Sequence, residues 1–285
     1  MDTAARLVLP SLSRSRLDVL DEAAGGGRVA VHTDEGLFAT TGVRVAFTER
    51  AGGVSKPPFN ELNLASHVND DAIAVQRNRR ILMGALGFPT AQLIVPNQVH
   101  GTHVVVVGRG RGALDEVEAA RSEARSGADA IVVDRPQTAA LLCFADCVPL
   151  IFVAPGGVFA VAHAGWRGVY AHIAVKVLYE LCAAASCGPS ECNAYIGPYI
   201  HAECFEVGAD LQRKFALAFG AACAPAERHV DLGAALRHDL SAAGVPARRV
   251  ADVGICTACA TDRFYSYRAQ AGVCGRHGAF AVREG

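Results

Sequence analysis

The sequence predicts an α+β fold, a single domain of mixed β-sheets flanked by helices. Three observations carry that expectation. Short β-branched or aromatic runs bounded by Gly, Pro or Asp recur along the chain, several without strict alternation, as in strands buried on both faces. Apolar stripes at helical spacing fall between some of these runs. The runs also fall in hairpin-like pairs, which argues against a regular βαβ series. With 51% hydrophobic residues in 285, the chain can bury a sizeable core.

Taken in order, residues 1–28, ending in Gly25-Gly26-Gly27, read as a flexible N-terminal extension, and 29–285 as the domain. Strands are expected over Val43–Thr48, Thr102–Val107, Asp129–Val133, Ala139–Phe144, Leu150–Ala154 and Val158–His163. Asp70 and Asp71 open a helix whose Val75, Leu82 and Leu86 recur at helical spacing, and Gly87 with Pro89 closes it. A second helix starts near Gly168, with Tyr170, Ile173, Ala174, Val177, Leu178 and Leu181 on one stripe; its first N–H groups would face an anion beside Arg167. Further helices are expected near Asp210–Phe219 and Asp231–Ala243, and Phe264–Arg268 reads as a buried strand.

Charge and composition narrow the function. Lys+Arg 27 against Asp+Glu 28 gives a net charge of -1 with no basic stripe, which argues against nucleic acid or an anionic membrane as partner and favours small ligands. The longest apolar runs are broken by Asp146 and Pro149 and are too short to span a bilayer. The first residues lack the apolar core of a secretory signal, so the ten cysteines are expected to stay reduced in a cytoplasmic protein.

Three segments stand out chemically. Asn97-Gln98-Val99-His100-Gly101, Ala145-Asp146-Cys147-Val148-Pro149-Leu150 and Val161-Ala162-His163-Ala164-Gly165-Trp166-Arg167-Gly168 each sit at the end of an apolar run and supply His100, Cys147 and His163. Two imidazoles and a thiolate at one rim make a three-ligand metal site with an open position, the ligand count of catalytic zinc. Asp146, a carboxylate within an apolar stretch, must be satisfied or functional: a hydrogen bond to a loop, a proton acceptor, or a group orienting a ligand. Two rivals use the same residues. One is a metal-free thiolate–imidazolium nucleophile of Cys147 and His163, for which Asp146 is the obvious orienting group. The other is copper bound by two His and a Cys, with Met83 the one internal candidate for an axial ligand.

Other clusters are weaker. Cys256-x-x-Cys259 with Cys274-x-x-His277 has the spacing of a structural zinc site. His201-Ala202-Glu203 before Cys256 and Cys259 has the order of a zinc-deaminase pattern, but lacks Pro before Cys256 and is too widely separated, so it reads as coincidence. Arg50-Ala51-Gly52-Gly53-Val54-Ser55 is a Gly-bearing loop suited to an anion; Arg50, Ser55 and the nearby Asn63 are its candidate phosphate or substrate ligands.

Together these motifs resemble one family from about Val43 onward, the laccase-domain family, long labelled multicopper polyphenol oxidoreductase and better described as purine nucleoside phosphorylases with adenosine deaminase activity. The matching segments are Phe47 to Ser55, Leu62 to Asp71, Asn97 to Gly101, Gly127 to Ala130, Asp146-Cys147, His163 to Gly168, Ile196-Gly197-Pro198, Cys204 to Gly208 and Phe264 to Arg268. The chain departs from the family where Glu203-Cys204 replaces adjacent cysteines, and the Cys274 region lies outside its usual pattern. The resemblance implies a layered fold similar to that of a toxin with a Cys–His deamidase site, and zinc on His100, Cys147 and His163. It also implies phosphorolysis of purine nucleosides such as adenosine, inosine, guanosine and methylthioadenosine. Phosphate would be gripped by Arg50, Ser55 or Arg167, and Asp146 would carry the proton in deamination. A copper-dependent polyphenol oxidase is the alternative activity, and the oligomeric state stays open.

Overall fold

The computed structural model describes residues 7–19, 27–108 and 115–285. Its fold is mixed α+β, with two six-stranded sheets lying face to face. The first sheet runs in the order β1 (Ser13–Asp18), β2 (Arg28–Thr33), β3 (Val43–Thr48), β12 (His277–Arg283), β7 (Thr138–Phe144), β4 (Gln92–Ile94). The second runs β11 (Val250–Asp252), β10 (Asn193–Ile196), β8 (Val148–Val153), β9 (Phe159–Ala164), β6 (Ala130–Val133), β5 (Val104–Val107). The pairs β4–β7, β5–β6 and β10–β11 are parallel and the other neighbours antiparallel.

The period-2 geometry of a strand explains why the central runs are apolar throughout. Along β7, Ala140, Leu142 and Phe144 enter the core between the sheets with Val45, Phe47, Ile151 and Val161. The intervening Ala139, Leu141 and Cys143 face outward, onto Leu82 and Met83 of α2 (Ala72–Ala85). On the far side of the second sheet, Leu150, Phe152, Ala160 and Ala162 pack on Ile173, Val177 and Leu181 of α5 (Ile173–Ala185), joined by α6 (Ala209–Phe219) and α7 (Leu232–Ala242). The result is helix, sheet, sheet, helix, with all the central strands buried on both faces. No helix among the described residues is long and apolar enough to cross a membrane.

Local signals place several boundaries. The Asp71 side chain accepts from the N–H of Ile73 and caps α2, and Asp231 likewise caps α7 through Ala234. The helix expected from Gly168 is split into α4 (Trp166–Tyr170) and α5, because His172 adopts a left-handed φ of 57° between them. Phe264–Arg268 is not a strand; it is a run of turns, with Phe264, Tyr265 and Ser266 buried by loop packing. Two helices lie outside those expected: α1 (Glu35–Thr41), capped by the Asp34 side chain and by Gly42 at a left-handed φ of 66°, and α3 (Asp115–Ser126).

The expected flexible extension over 1–28 is corrected where the structure describes it. Ser13–Asp18 is a strand in full antiparallel register with β2, while residues 1–6 and 20–26 lie outside the described residues. What holds this edge is Glu49, buried at the end of β3. It accepts two hydrogen bonds at 2.7 Å from Arg14 of β1, a further one at 3.1 Å from Arg263, and lies 3.4 Å from the His32 imidazole of β2. Burial opposes its charge, but the hydrogen bonds from Arg14, His32 and Arg263 outweigh burial and hold its pKa well below the usual carboxylate range.

Glu49→Gln is therefore expected to destabilise the protein by about 2–3 kcal/mol near neutral pH, the low end for a broken buried ion pair because both arginines reach solvent. A depressed folded pKa contributes stability that is present above the unfolded value and lost on acidification. The gap between the urea midpoints of the two proteins should accordingly narrow from about pH 5 downward. An unchanged gap at about pH 3 would refute the ionic origin.

Candidate metal centre and its cleft

Two connections cross from the first sheet to the second at one end of the sandwich, β4 to β5 and β7 to β8, and they carry His100 and Cys147. The third residue arrives by strand register. In the β8–β9 hairpin Val148 pairs with Ala164 and Pro149 with His163, so Cys147 stands beside the end of β9 that presents His163. His163 lies on the inter-sheet face with Phe159 and Val161, its ring 5.4 Å from that of Phe144. The ligand atoms of His100, Cys147 and His163 all lie within 4.8 Å of one another, and the two imidazoles meet edge to face at 4.8 Å.

One buried carboxylate organises this group. Asp129, at the head of β6, accepts the N–H groups of Val99 at 3.3 Å, His100 at 3.0 Å and Gly101 at 2.6 Å. The Nδ1 of His163 lies 2.8 Å from the same carboxylate. With Nδ1–H donated to Asp129, Nε2 of His163 carries the lone pair that a metal ion requires. Gln98 fastens the same loop to β7, trading both amide groups with the backbone of Cys143 at 2.8 Å. The sequence marked Asp129 as a strand start and as part of the matching segment Gly127 to Ala130, and its role could not be read from either.

The donor set fits a metal ion. Two imidazole nitrogens and a thiolate are the borderline-soft ligands of zinc or copper. Gly165 keeps room for it: a Cβ there would stand 3.0 Å from the His100 ring, 3.2 Å from the Cys147 sulfur and 3.6 Å from the His163 ring. Electrostatics support ligation too. Burial raises the Cys147 pKa, but His163 and the hydrogen bond from His100 bring it down to about 6. Burial lowers that of His163, yet Cys147 and Asp129 push it up to about 9. These shifts favour a thiolate on Cys147 beside a protonated His163, and the carboxylate that orients this imidazole is Asp129, not Asp146.

The group opens into a cavity of about 480 Å³ walled by His67, Gln98, Cys143, Ala145, Asp146, Ile200, Phe205, Tyr267, Arg268 and Arg276. Asp146 is in that wall with both oxygens engaged: Oδ1 accepts from the Thr257 hydroxyl and Oδ2 from the Arg268 N–H, each at 2.7 Å. This is a hydrogen-bonded anchor for two loops. Arg268 in turn donates to the carbonyls of Cys204 and Glu206, and Arg276 to those of Cys274 and Gly275. Desolvation, then the fields of Arg276 and Arg79, hold the His67 imidazole below its ordinary pKa.

The remaining predicted residues are elsewhere. Arg50 donates to the carbonyls of Asn60 and Thr261 and lies over the Tyr265 ring, facing a separate shallow depression. Ser55 and Asn63 both donate to Asp70, and Asn63 accepts from the N–H of Arg276, which makes them braces behind the cleft wall. Arg167 is exposed and stacks on Trp166 at 4.4 Å. Met83 is buried in α2 on the outer side of the first sheet. Cys256 and Cys259 do meet, but with Glu203 and Cys204; Cys274 packs beside Ala145 and Tyr265, and His277 sits in β12 against Phe144 and Phe264. Phe205, Tyr267 and Arg268 fall in family-matching segments but carried no expected site role, and Arg276 was not singled out; all four lie in irregular loops where no periodicity marks them.

Known proteins are similar to this chain in sequence and architecture. Purine nucleoside phosphorylase YlmD of Geobacillus stearothermophilus is 36% identical over 254 residues, covering 85% of this chain and 90% of its own. Adenosine deaminase RL5, from an unknown prokaryotic organism, is 34% identical over 235 residues, with 80% and 88% covered. The crystal structure of YlmD from Geobacillus stearothermophilus superposes with a TM-score of 0.77 at 33% identity over 86% of this chain and 93% of that one. The Bacillus licheniformis hypothetical protein YfiH gives 0.79 at 29% identity, covering 89% and 96%. Residues 44–284 match the family model described as multi-copper polyphenol oxidoreductase laccase, and the chain belongs to that family.

Proposed function

We propose that the chain is a zinc-dependent purine nucleoside phosphorylase, acting on adenosine, inosine, guanosine and methylthioadenosine, that also deaminates adenosine. The observation that carries this reading is the triad of His100, Cys147 and His163, converging at the floor of a cleft that combines an aromatic side with a cationic one. Relatives named for both activities support it. Zinc on these three residues would supply Lewis acidity toward an oxygen of phosphate or water.

The cleft divides the substrate by chemistry. Phe205 and Tyr267 offer π-faces to a purine, and Ile200 an apolar edge. Arg276, with the field of Arg79 behind it, forms the positive pole that draws phosphate. In phosphorolysis a phosphate oxygen bonds to C1′ as the C1′–N9 bond breaks and the purine leaves with a proton. His67, neutral near pH 7, is suited to accept a proton from the attacking water in deamination. Asp146 positions the walls through Thr257 and Arg268.

A second reading rests on the Cys147–His163–Asp129 alignment, which is that of a thiol hydrolase. Metal content and product analysis separate the two. Cys147→Ala is expected to hold one zinc fewer per chain than wild type and to lose phosphorolysis by at least about a hundredfold, since metal stabilisation of a transition state is worth several kcal/mol. Undiminished nucleoside cleavage by the chelated wild-type protein would instead favour the thiol.

Phosphate handling gives a further expectation. Arg276→Ala should raise the KM for phosphate roughly tenfold while sparing deamination, which uses none, because a charge-assisted contact is worth about 1.5–3 kcal/mol. Arg50→Ala should leave that KM alone and lower the melting temperature, since its guanidinium holds two backbone carbonyls. The opposite pattern would return the phosphate site to the glycine loop.

The metal-free protein offers a pH test. Alkylation of Cys147 by iodoacetamide should rise through a midpoint near its pKa of about 6, being slow below and fast above, and added zinc should suppress it. A midpoint near that of a free thiol would mean that His163 does not stabilise the thiolate.

A further inference from the structure

Behind the Phe205 side of the cleft, two loops meet in a cluster that the proposed reaction does not use. Residues 199–204 and 255–260 run side by side: Tyr199 and Cys256 form a parallel bridge, and the N–H of Thr257 donates to the carbonyl of Tyr199 at 3.0 Å. A turn closed by the N–H of Cys204 on the carbonyl of His201 then brings Cys204 back over Cys256 and Cys259. The sulfurs of Cys204 and Cys259 are 3.4 Å apart. Together with Cys256 and a carboxylate oxygen of Glu203, all four donor atoms lie within 4.8 Å of one another.

We infer that Glu203, Cys204, Cys256 and Cys259 form a second metal site, structural in role, that binds zinc. Tetrahedral zinc with Zn–S bonds of about 2.3 Å separates its sulfur ligands by roughly 3.8 Å, the scale of the spacing found here. Four protein donors close the coordination shell, unlike the triad at the cleft. The Cys-x-x-Cys pair is the usual spacing for such a shell, and the N–H of His201 already points to the Cys256 sulfur at 3.4 Å, a dipole that stabilises thiolate charge. His201 Nδ1 lies 3.7 Å from Glu203 and supports the carboxylate from outside. A disulfide would use two of the sulfurs and leave the third, with the carboxylate, unassigned. With Glu203 and Cys259 both exposed, the ion has a way in.

The site bears on the cleft through its backbone. The carbonyl of Cys204 accepts from Arg268, Phe205 follows it in sequence, and Thr257 next to Cys256 holds Asp146. A metal ion here fixes the wall that the purine would lie against.

The full chain, purified under reducing conditions after expression with zinc, tests this. His100→Ala/Cys147→Ala removes the first centre and is expected to retain about one zinc per chain. Its cobalt-substituted form should show thiolate-to-cobalt charge transfer with tetrahedral d–d bands. Adding Cys256→Ser and Cys259→Ser should abolish both signals, whereas adding Cys182→Ser and Cys187→Ser, in the separate thiol group with Cys192, should preserve them. If the quadruple variant at 256 and 259 does not fold, alkylation mapping decides: Cys204, Cys256 and Cys259 should be protected in His100→Ala/Cys147→Ala until a chelator is added. The site is overturned if that variant holds no metal, if its metal depends on Cys182 and Cys187, or if the isolated protein carries a Cys204–Cys259 disulfide.

Discussion

The buried carboxylate of Asp129 is the interaction on which the site depends. Its two oxygens gather three consecutive backbone N–H groups from the 99–101 loop and one imidazole nitrogen from β9, so a single side chain fixes two of the three candidate ligands at once. A carboxylate without those donors would be too costly to bury, and the donors without it would be left unsatisfied at the end of the sandwich. Geometry and charge are thereby coupled. The group that sets the tautomer of His163 also sets where His100 stands.

The backbone around the site is strained in the places this arrangement requires. His100 and Asp146 both take left-handed conformations, with φ of 58° and 86°, at a cost of order 1–3 kcal/mol each for residues with a Cβ. Asp129 holds the first through its N–H, and the second is clamped by its own side chain on Thr257 and Arg268. Such conformations persist only where surroundings over-determine them. Both sit next to, or at, a candidate ligand position, and such strain is absent from the regular strands below them.

Much of this was legible in the sequence. Val43–Thr48 is β3 to the residue, and Cys147 and His163 stand after or within runs expected as strands, Ala139–Phe144 and Val158–His163, while the run before His100 yields only the short edge strand β4. What was not legible had physical causes. The three-residue strands β4 and β11 are too short to show a period, and β12 was obscured because His277 looked like a ligand while it opens a central strand. Arg50 on a Gly-Gly loop and Arg167 at a helix start suited an anion by local sequence; the folded chain satisfies the first with carbonyls and leaves the second outside. Arg276 and Phe205 reach the cleft through irregular loops, where position depends on tertiary packing and not on pattern. Glu203 and Cys204 join Cys256 and Cys259 across some fifty residues, an adjacency that spacing argued against and loop pairing produced.

The strand order carries a consequence for biosynthesis. β12, residues 277–283, is inserted between β3 and β7, so β7 lacks its antiparallel neighbour until after every other strand of both sheets has been synthesised. β7 leads directly into Cys147, and its Phe144 seats the ring of His163. The β8–β9 hairpin is local in sequence, whereas the strand that carries Phe144 is flanked on both edges only once β12 has joined β4 beside it.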